Sequence, residues 1–242
     1  MNQRTALVTD AQHFIGASSA MALAKAGLRV FCQDAAFGDE AVRRDFEARY
    51  PGLVALTAQT APDLQAEIAA AAGSLDVLVH NDAYPAEKVP IDEASAESFR
   101  TTLEALVVQA FERTSVFVPE MKKRGSGKII FVTSAAPLRG LANYAMYVTA
   151  RGAANSLAQT LAVELARHNI QVNAVAPNFI DSPTYFPASL LNDPAARAKI
   201  LKHIPLGRLG RQEEAASLVA YLASPEADFL TGHVFPIAGG WA

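Results

Sequence analysis

Three polar side chains stand at a spacing that suits removal of a proton from an alcohol. Ser134 ends the apolar run IIFVTS, Tyr147 follows after twelve intervening residues, and Arg151 lies four residues beyond Tyr147. Residues i and i+4 share one face of a helix, so the Arg151 guanidinium is predicted to lie beside the Tyr147 phenol. A neighbouring positive charge favours the phenolate and lowers a tyrosine pKa from its ordinary value of about 10. The pattern predicts Tyr147 as a general base, Arg151 as the group that tunes it, and Ser134 as the hydroxyl that orients a bound oxygen.

The chain around these residues alternates between short apolar runs and longer helical patterns. Seven runs rich in β-branched residues are predicted as strands, over 5–9, 29–33, 54–56, 76–80, 128–133, 171–176 and 233–237. The main helices are predicted over 17–26, 39–50, 62–72, 97–121, 144–167 and 213–223. Strands that are apolar on both faces are typical of a parallel sheet covered by helices. We therefore predict a doubly wound α/β fold with a seven-stranded, mostly parallel, Rossmann-like sheet, in a single domain over residues 1–242.

The turn after the first predicted strand would face any ligand held at the carboxyl edge of the sheet. It has the sequence TDAQHFIG over residues 9–16. It resembles the first turn of the short-chain dehydrogenase/reductase family, Thr-Gly-x-x-x-Gly-x-Gly, at Thr9 and Gly16, but Asp10 and Phe14 replace two of its glycines. Such glycines let the backbone approach a dinucleotide pyrophosphate. Because a carboxylate repels phosphate and a phenyl ring occupies space, we expect no nucleotide cofactor here.

Two motifs together resemble the halohydrin dehalogenases, relatives of the short-chain dehydrogenases that have lost the nucleotide. They are Thr-x4-Phe-x-Gly in the first turn and Ser-x12-Tyr-x3-Arg at 134–151, and the resemblance covers essentially the whole chain. It implies that Tyr147 removes the hydroxyl proton of a vicinal halo-alcohol and that the oxygen attacks the neighbouring carbon, which gives an epoxide, a proton and a halide ion. The reverse reaction opens epoxides with small anions such as azide, cyanide and nitrite. Neither a cofactor nor a metal is implied.

Asp82 is a further site residue on this resemblance. It follows the fourth predicted strand in the sequence Asn-Asp-Ala-Tyr over residues 81–84. The resemblance implies that Asp82 pairs with Arg151 and offers an exit for the proton. The alternative is an aspartate that caps its own loop.

The irregular segment 177–193 is expected to bind substrate and halide. It is rich in Pro, Asn, Ser and aromatic residues, and loops of this length in compact domains often form lids or binding loops. The resemblance implies that backbone N–H groups of Phe179 and Ile180 hold the halide, with Asn178 shaping the turn after Pro177. Plausible pocket walls, for which ordinary packing is the alternative, are Phe14, Tyr84, Tyr185 and Phe186.

Composition narrows the possible partners to small molecules and a second copy of the chain. The 242 residues are 51% hydrophobic and 19% charged, which supports a large core. The formal net charge of −3 argues against nucleic acid. No uncharged apolar run approaches the roughly 18 residues of a membrane span, and no signal peptide is recognisable at the N-terminus. The single cysteine, Cys32, fits a reducing, cytoplasmic location.

Assembly and two other functions stay open at this point. The resemblance implies a homotetramer whose main interface is formed by the helices predicted over 97–121 and 144–167; the alternative is that the small residues of 144–167 pack on their own sheet. Some dehalogenases place a C-terminal aromatic residue in a neighbour's site, and whether Trp241 does so is open. The competing functions are an NAD(P)-dependent alcohol dehydrogenase with a divergent first turn and a non-catalytic small-molecule sensor.

Overall fold

A seven-stranded parallel sheet forms the centre of the protein. The computed structural model describes residues 3–183 and 185–242. The strand order is β3-β2-β1-β4-β5-β6-β7, and every neighbouring pair is parallel. The strands are β1 (Thr5–Val8), β2 (Arg29–Cys32), β3 (Leu53–Ala55), β4 (Val77–His80), β5 (Gly127–Val132), β6 (Ile170–Pro177) and β7 (Val234–Ile237). The predicted doubly wound α/β fold with seven strands is therefore confirmed.

Helices cover both faces of the sheet. They are α1 (Gly16–Lys25), α2 (Glu40–Arg49), α3 (Ala61–Ala72), α4 (Ala96–Leu103), α5 (Gln109–Arg124), α6 (Ala145–Leu165), α7 (Ala188–Leu191), α8 (Pro194–Leu201) and α9 (Gln212–Ala223). Helices α1, α2 and α9 bury apolar side chains against one face of the sheet, and α3, α5 and α6 do so against the other. Because both faces are covered, the strands are apolar on both sides, as the sequence pattern indicated.

The largest difference from the sequence prediction lies in the helix expected over 97–121. Helices α4 and α5 are separated by one wide π-helical turn over Glu104–Val108. Leu106 of this turn is buried against Tyr147 and Ala150, so the wide turn directs a side chain towards the part of α6 that carries the predicted base. A π-turn inserted in a longer helix often marks a functional region.

The segment after β6 contains two helices that periodicity did not predict. Helices α7 and α8 have few buried positions, so their sequences lack a wide apolar stripe. Helix α8 begins instead at a local signal, because the Asp193 side chain accepts a hydrogen bond from the Ala195 N–H at 2.9 Å and Pro194 occupies the first helical position. These two helices form one wall of the cavity described next.

Candidate active site

Ser134 and Tyr147 meet at the carboxyl edge of the sheet. Ser134 lies just beyond β5, where a parallel sheet presents its strand ends to ligands. Its Oγ accepts a hydrogen bond from the Ala136 N–H at 3.1 Å, which fixes the side chain at the strand end. Tyr147 lies in the first turn of α6, and both side chains face the same cavity. The structure therefore brings these two predicted site residues together.

The cavity has a volume of about 800 Å³. Its inner wall is formed by Ser134, Tyr147 and the segment Pro177–Ile180, and its outer wall is formed largely by α7 and α8. The lining residues include the predicted walls Phe14, Tyr185 and Phe186, the C-terminal Trp241 whose place was left open, and further residues that were not predicted as walls: Tyr144, Leu190, Lys199 and His203. Trp241 packs on Phe179 of its own chain, with ring centroids 5.8 Å apart, so it lines the cavity of its own subunit.

Arg151 lies behind the phenol of Tyr147. Its side chain is 1% exposed, and its guanidinium carbon is 5.3 Å from the centre of the Tyr147 ring. One guanidinium nitrogen donates to the Val132 carbonyl at 3.1 Å and another donates to the Tyr185 hydroxyl at 3.1 Å. Burial acts to lower the pKa of Arg151, but the phenols of Tyr147 and Tyr185 outweigh burial and raise it. A permanent positive charge is therefore held in a dry environment beside two phenol oxygens.

Tyr185 has a polar role that the sequence did not reveal. Its hydroxyl accepts from Arg151 and donates to the Tyr84 main-chain carbonyl at 3.3 Å. Its ring contacts Phe14 edge-to-face with centroids 5.0 Å apart, and Tyr147 with centroids 6.3 Å apart. Burial, and then the neighbouring Tyr147, raise the pKa of Tyr185 well above its usual range, so Tyr185 remains a neutral phenol. No local motif could have identified it, because Tyr185 and Arg151 are brought together only by packing.

The segment Pro177–Ile180 corrects one expectation about the halide site. The Phe179 N–H donates to the side-chain oxygen of Asn178 at 2.9 Å, so it is already occupied and is not available to an anion. Phe179 also has φ of 56°, and its carbonyl accepts from the Gly210 N–H at 2.9 Å. Within the part of the chain that the structure describes, the Ile180 N–H has no acceptor. Asn178 thus caps the turn with its side chain, and Ile180 is left with a backbone donor that no described residue accepts.

Asp82 corrects a second expectation. It was expected to pair with Arg151, but its Oδ1 lies 2.6 Å from an Arg113 guanidinium nitrogen of α5 and accepts from the Thr9 hydroxyl at 3.1 Å. His80 stands 3.8 Å from the other oxygen, and burial lowers its pKa to about 4, so it is neutral at pH 7. The positive charge beside Asp82 is thus supplied by Arg113. The predicted pair was wrong because the position of α5 relative to the loop after β4 depends on tertiary packing, which the sequence pattern does not reveal.

Tyr84 corrects a third expectation. Its side chain packs against Leu106, Tyr147 and Ala150 instead of forming a wall of the cavity, although its two successors, Pro85 and Ala86, do line it. The contribution of Tyr84 is its carbonyl, which holds the Tyr185 hydroxyl. Tyr84 therefore supports the site from behind.

The first turn is filled by its own side chains. Asp10 and Phe14 have φ of 44° and 47°, values that favour glycine and cost other residues about 1–2 kcal/mol each. The Asp10 carboxylate accepts from the Ala83 N–H at 2.9 Å, and the Asn81 amide donates to the Asp10 carbonyl at 3.0 Å. Burial, and then the neighbouring Asp82, raise the pKa of Asp10 to about 6. The turn thus holds a buried carboxyl group at a position where the resembling family has glycine.

Asp34 holds the same turn from the other side. Its carboxylate accepts from the Gln12 N–H at 3.0 Å and from the Ala36 N–H at 3.1 Å, and it is 1% exposed. Asp34 is therefore a structural residue of the turn in this protein. Gly16 is required at the end of the turn, because a Cβ there would come within 2.7 Å of the Asp10 carbonyl oxygen.

The described residues offer neither a metal-binding cluster nor a membrane-spanning helix. Among residues 3–183 and 185–242 no group of three or more His, Cys, Asp and Glu side chains is arranged to hold a metal ion. In the same residues no helix has both the length and the apolar character needed to cross a membrane.

Comparison with known proteins places the chain among reductases and dehalogenases. A family profile described as enoyl-(acyl carrier protein) reductase matches residues 10–242. A curated relative, cis-4-hydroxycyclohexanecarboxylate dehydrogenase of Sinomonas cyclohexanicum, is 35% identical over 244 residues, which cover 99% of this chain and 96% of that protein.

Two solved structures are more similar to the chain than this relative. One, described as a dehalogenation enzyme, superposes with a TM-score of 0.97 at 44% identity over 100% of this chain and 99% of its own. The other, a halohydrin dehalogenase bound to ethyl (2S)-oxiran-2-ylacetate, superposes with a TM-score of 0.94 at 40% identity over 98% of this chain and 96% of its own.

Proposed function

We propose that this protein is a halohydrin dehalogenase. The chain belongs to the short-chain dehydrogenase/reductase family, since an enoyl-(acyl carrier protein) reductase profile matches residues 10–242, and it resembles two dehalogenase structures at 44% and 40% identity. It converts vicinal halo-alcohols into epoxide, halide and proton, as a carbon–halide lyase that needs no nucleotide. The same groups catalyse the reverse opening of epoxides by small anions.

One observation carries this proposal. The Ser134 hydroxyl and the Tyr147 phenol face a cavity that is also lined by Pro177–Ile180, while the first turn holds the Asp10 carboxyl and the Phe14 ring. An enzyme of this fold that transfers hydride needs a dinucleotide-binding site along that turn. An intramolecular displacement needs only a base, an oriented oxygen and a place for the leaving anion.

The reaction begins at the substrate hydroxyl. Ser134 and Tyr147 both contact this oxygen, and Tyr147 accepts its proton as the O–H bond breaks. The positive charge of Arg151 stabilises the negative charge that moves between the substrate oxygen and the Tyr147 phenol, and it acts strongly because it is buried.

The second half of the reaction is displacement at carbon. The substrate oxygen forms its new bond to the neighbouring carbon as the carbon–halogen bond breaks and the halide leaves with the bonding electrons. We assign the Ile180 N–H, which has no acceptor among the described residues, as a donor to the departing halide, and Phe14, Phe179 and Phe186 as the apolar walls that exclude water. Both ends of the charge movement are then stabilised by groups that are in place before the reaction starts.

The proposal is tested by incubating the purified protein with a small vicinal chloro-alcohol in buffer free of nucleotide. We expect chloride and acid to appear in equal amounts. Release of chloride only when NAD(P) is present, or no chloride at all, contradicts the proposal.

The rival function is supported by one observation, the 35% identity to a curated dehydrogenase over nearly the whole chain. It is examined in the same preparation by adding NAD(P)⁺ and an unhalogenated secondary alcohol. Formation of NAD(P)H favours the dehydrogenase. A protein that binds the chloro-alcohol but consumes none of it would favour the non-catalytic sensor.

We also propose that the protein is a homotetramer located in the cytoplasm. Large apolar side chains are exposed on α5 and α6, where Phe111 is 54% and Val163 is 83% exposed. Burial of such residues between copies of the chain is a common reason for their exposure in a single subunit. In contrast, the small residues Ala154, Ala158 and Ala162 of α6 are buried inside their own subunit. Size-exclusion chromatography with light scattering measures the oligomeric state.

A further inference from the structure

The cavity is larger than the reaction at two carbon atoms requires. Cavities of roughly 300–1,000 Å³ enclose ligands of drug size, and this one has about 800 Å³. We call the part lined by Ser134 and Tyr147 its inner end, and the part lined by α8 and the C-terminal tail its outer end. The volume of the cavity leaves room for a substituent on the substrate.

The outer end is charged and the inner end is not. Lys199 carries the formal charge in the lining, which contains no aspartate or glutamate among the described residues. The lysines that form ion pairs with described carboxylates are Lys122 and Lys128, so within this part of the chain the Lys199 ammonium is unpaired. His203 lies four residues further on and lines the same end of the cavity with a second N–H donor.

Arg139 fixes Trp241 at this end of the cavity from outside the lining. Its guanidinium stacks over the Trp241 ring, with the carbon 4.9 Å from the ring centre, and donates to the Trp241 carbonyl at 2.6 Å. Trp241 in turn lines the cavity and contacts Phe179. An anionic group that enters the outer end therefore meets the Lys199 ammonium and a fixed aromatic wall.

From this juxtaposition we propose that the outer end of the cavity binds a carboxylate on the substrate through Lys199, so that the preferred substrates are halo-alcohols and epoxides that carry an acid group a few bonds from the reacting carbons. The inference rests on the proposed dehalogenase function and adds its substrate class. A neutral substituent of the same size would still enter, but it would leave the Lys199 ammonium without a partner.

The experiment compares two substrates with identical reacting atoms. They are 4-chloro-3-hydroxybutanoate and its ethyl ester, which differ in the charge at the far end of the molecule. Chloride release is measured at low ionic strength for the wild type, for Lys199→Met, and for the matched control Lys202→Met, which removes the same charge from an exposed neighbour outside the cavity lining.

We expect Lys199→Met to lower kcat/KM for the carboxylate about tenfold, mainly through KM, and to change kcat/KM for the ester less than twofold. Lys202→Met should change neither substrate by more than twofold. Added salt should weaken the wild-type preference for the carboxylate, because an exposed ammonium is screened.

Three results overturn the inference. The first is that Lys199→Met does not lower kcat/KM for the carboxylate, and the second is that it lowers kcat/KM equally for the carboxylate and the ester. The third is that Lys202→Met lowers kcat/KM for the carboxylate as much as Lys199→Met does, which would indicate a general effect of positive charge. Its failure is distinguishable from failure of the proposed function, because a wild type that releases chloride from the ester is a dehalogenase whatever Lys199 does. A wild type that releases chloride from neither substrate contradicts the proposed function itself.

Discussion

The carboxyl edge of the sheet has two halves that are built in opposite ways. The closed half consists of the first turn, 9–16, and the loop 80–83, where side chains hydrogen-bond to backbone groups and to each other across the space between β1 and β4. The open half lies beyond β5 and β6, where Ser134 and Tyr147 face a cavity and the Ile180 N–H has no acceptor among the described residues. One edge of the sheet thus divides two tasks between its halves. Substitutions in the closed half should therefore change stability, and substitutions in the open half should change the rate.

The largest effect is expected from Tyr147→Phe in the open half. General acid–base catalysis by one side chain contributes roughly 10²–10⁴-fold, so chloride release should fall by about a thousandfold when the phenol oxygen is removed. Urea unfolding should show a free energy of unfolding within about 1 kcal/mol of wild type, since surface and cavity-facing changes seldom cost more. Tyr144→Phe is the control, because Tyr144 also lines the cavity, and it should keep activity within about tenfold of wild type. Near-normal chloride release by Tyr147→Phe would remove Tyr147 from its assigned role.

The second effect is expected from Arg113→Met in the closed half. Removing one partner of a buried ion pair costs roughly 3–5 kcal/mol because the other charge stays buried and unpaired. Asp82 is 4% exposed and would be left in that state. Urea unfolding at pH 7 should show the loss, and the double variant Arg113→Met with Asp82→Asn should recover most of it. Equal stability of Arg113→Met and wild type would mean that the closed half does not depend on this pair.

The third effect concerns the pH dependence that Asp10 gives to the closed half. Its pKa rises from 3.8 to about 6 on folding, so the native state binds more protons than the unfolded state between these values. The free energy of unfolding should therefore fall as pH rises from about 4 to about 6 and remain lower above it, by roughly 2–3 kcal/mol. Asp10→Asn should abolish this fall while keeping an acceptor for the Ala83 N–H. Parallel curves of stability against pH for wild type and variant would show that Asp10 does not carry the effect.

The smallest effect is expected from Arg151→Lys, at the rear of the open half. A lysine keeps the charge but lacks the planar fork that reaches both the Val132 carbonyl and the Tyr185 hydroxyl. We expect activity to need a pH about one unit higher, which is roughly a tenfold loss at neutral pH. The measurement is the pH profile of kcat/KM for chloride release. An unchanged profile would show that Arg151 does not tune the base.

Most of the fold could be predicted because its signals are local. Each strand is a short β-branched run bounded by turn residues, and seven of the helices, α1 to α6 and α9, carry a pattern that a short window of sequence reveals. Helices α7 and α8 were missed because they bury no apolar face, so their sequences show no helical periodicity of apolar residues. The π-turn at Glu104–Val108 was missed because the residues on either side of it are ordinary helix formers.

The sequence by itself determined which side chains are candidates for the reacting groups. A serine just after a strand and a tyrosine with an arginine four residues later are set by backbone geometry, so Ser134, Tyr147 and Arg151 could be named from spacing alone. The replacement of two glycines by Asp10 and Phe14 was equally visible, because it changes side chains within one turn.

The tertiary structure alone decided which groups pair across the site. Arg113 lies 31 residues from Asp82, and Tyr185 lies 34 residues from Arg151, so their contacts depend on how α5 and the loop after β6 pack. The folded segment also pairs the Phe179 N–H with the Asn178 side chain and leaves the Ile180 N–H without an acceptor in residues 3–183 and 185–242. Periodicity fixes the direction of a side chain within its own element, whereas the distance between elements is set by the summed packing of the core, which no short stretch of sequence contains.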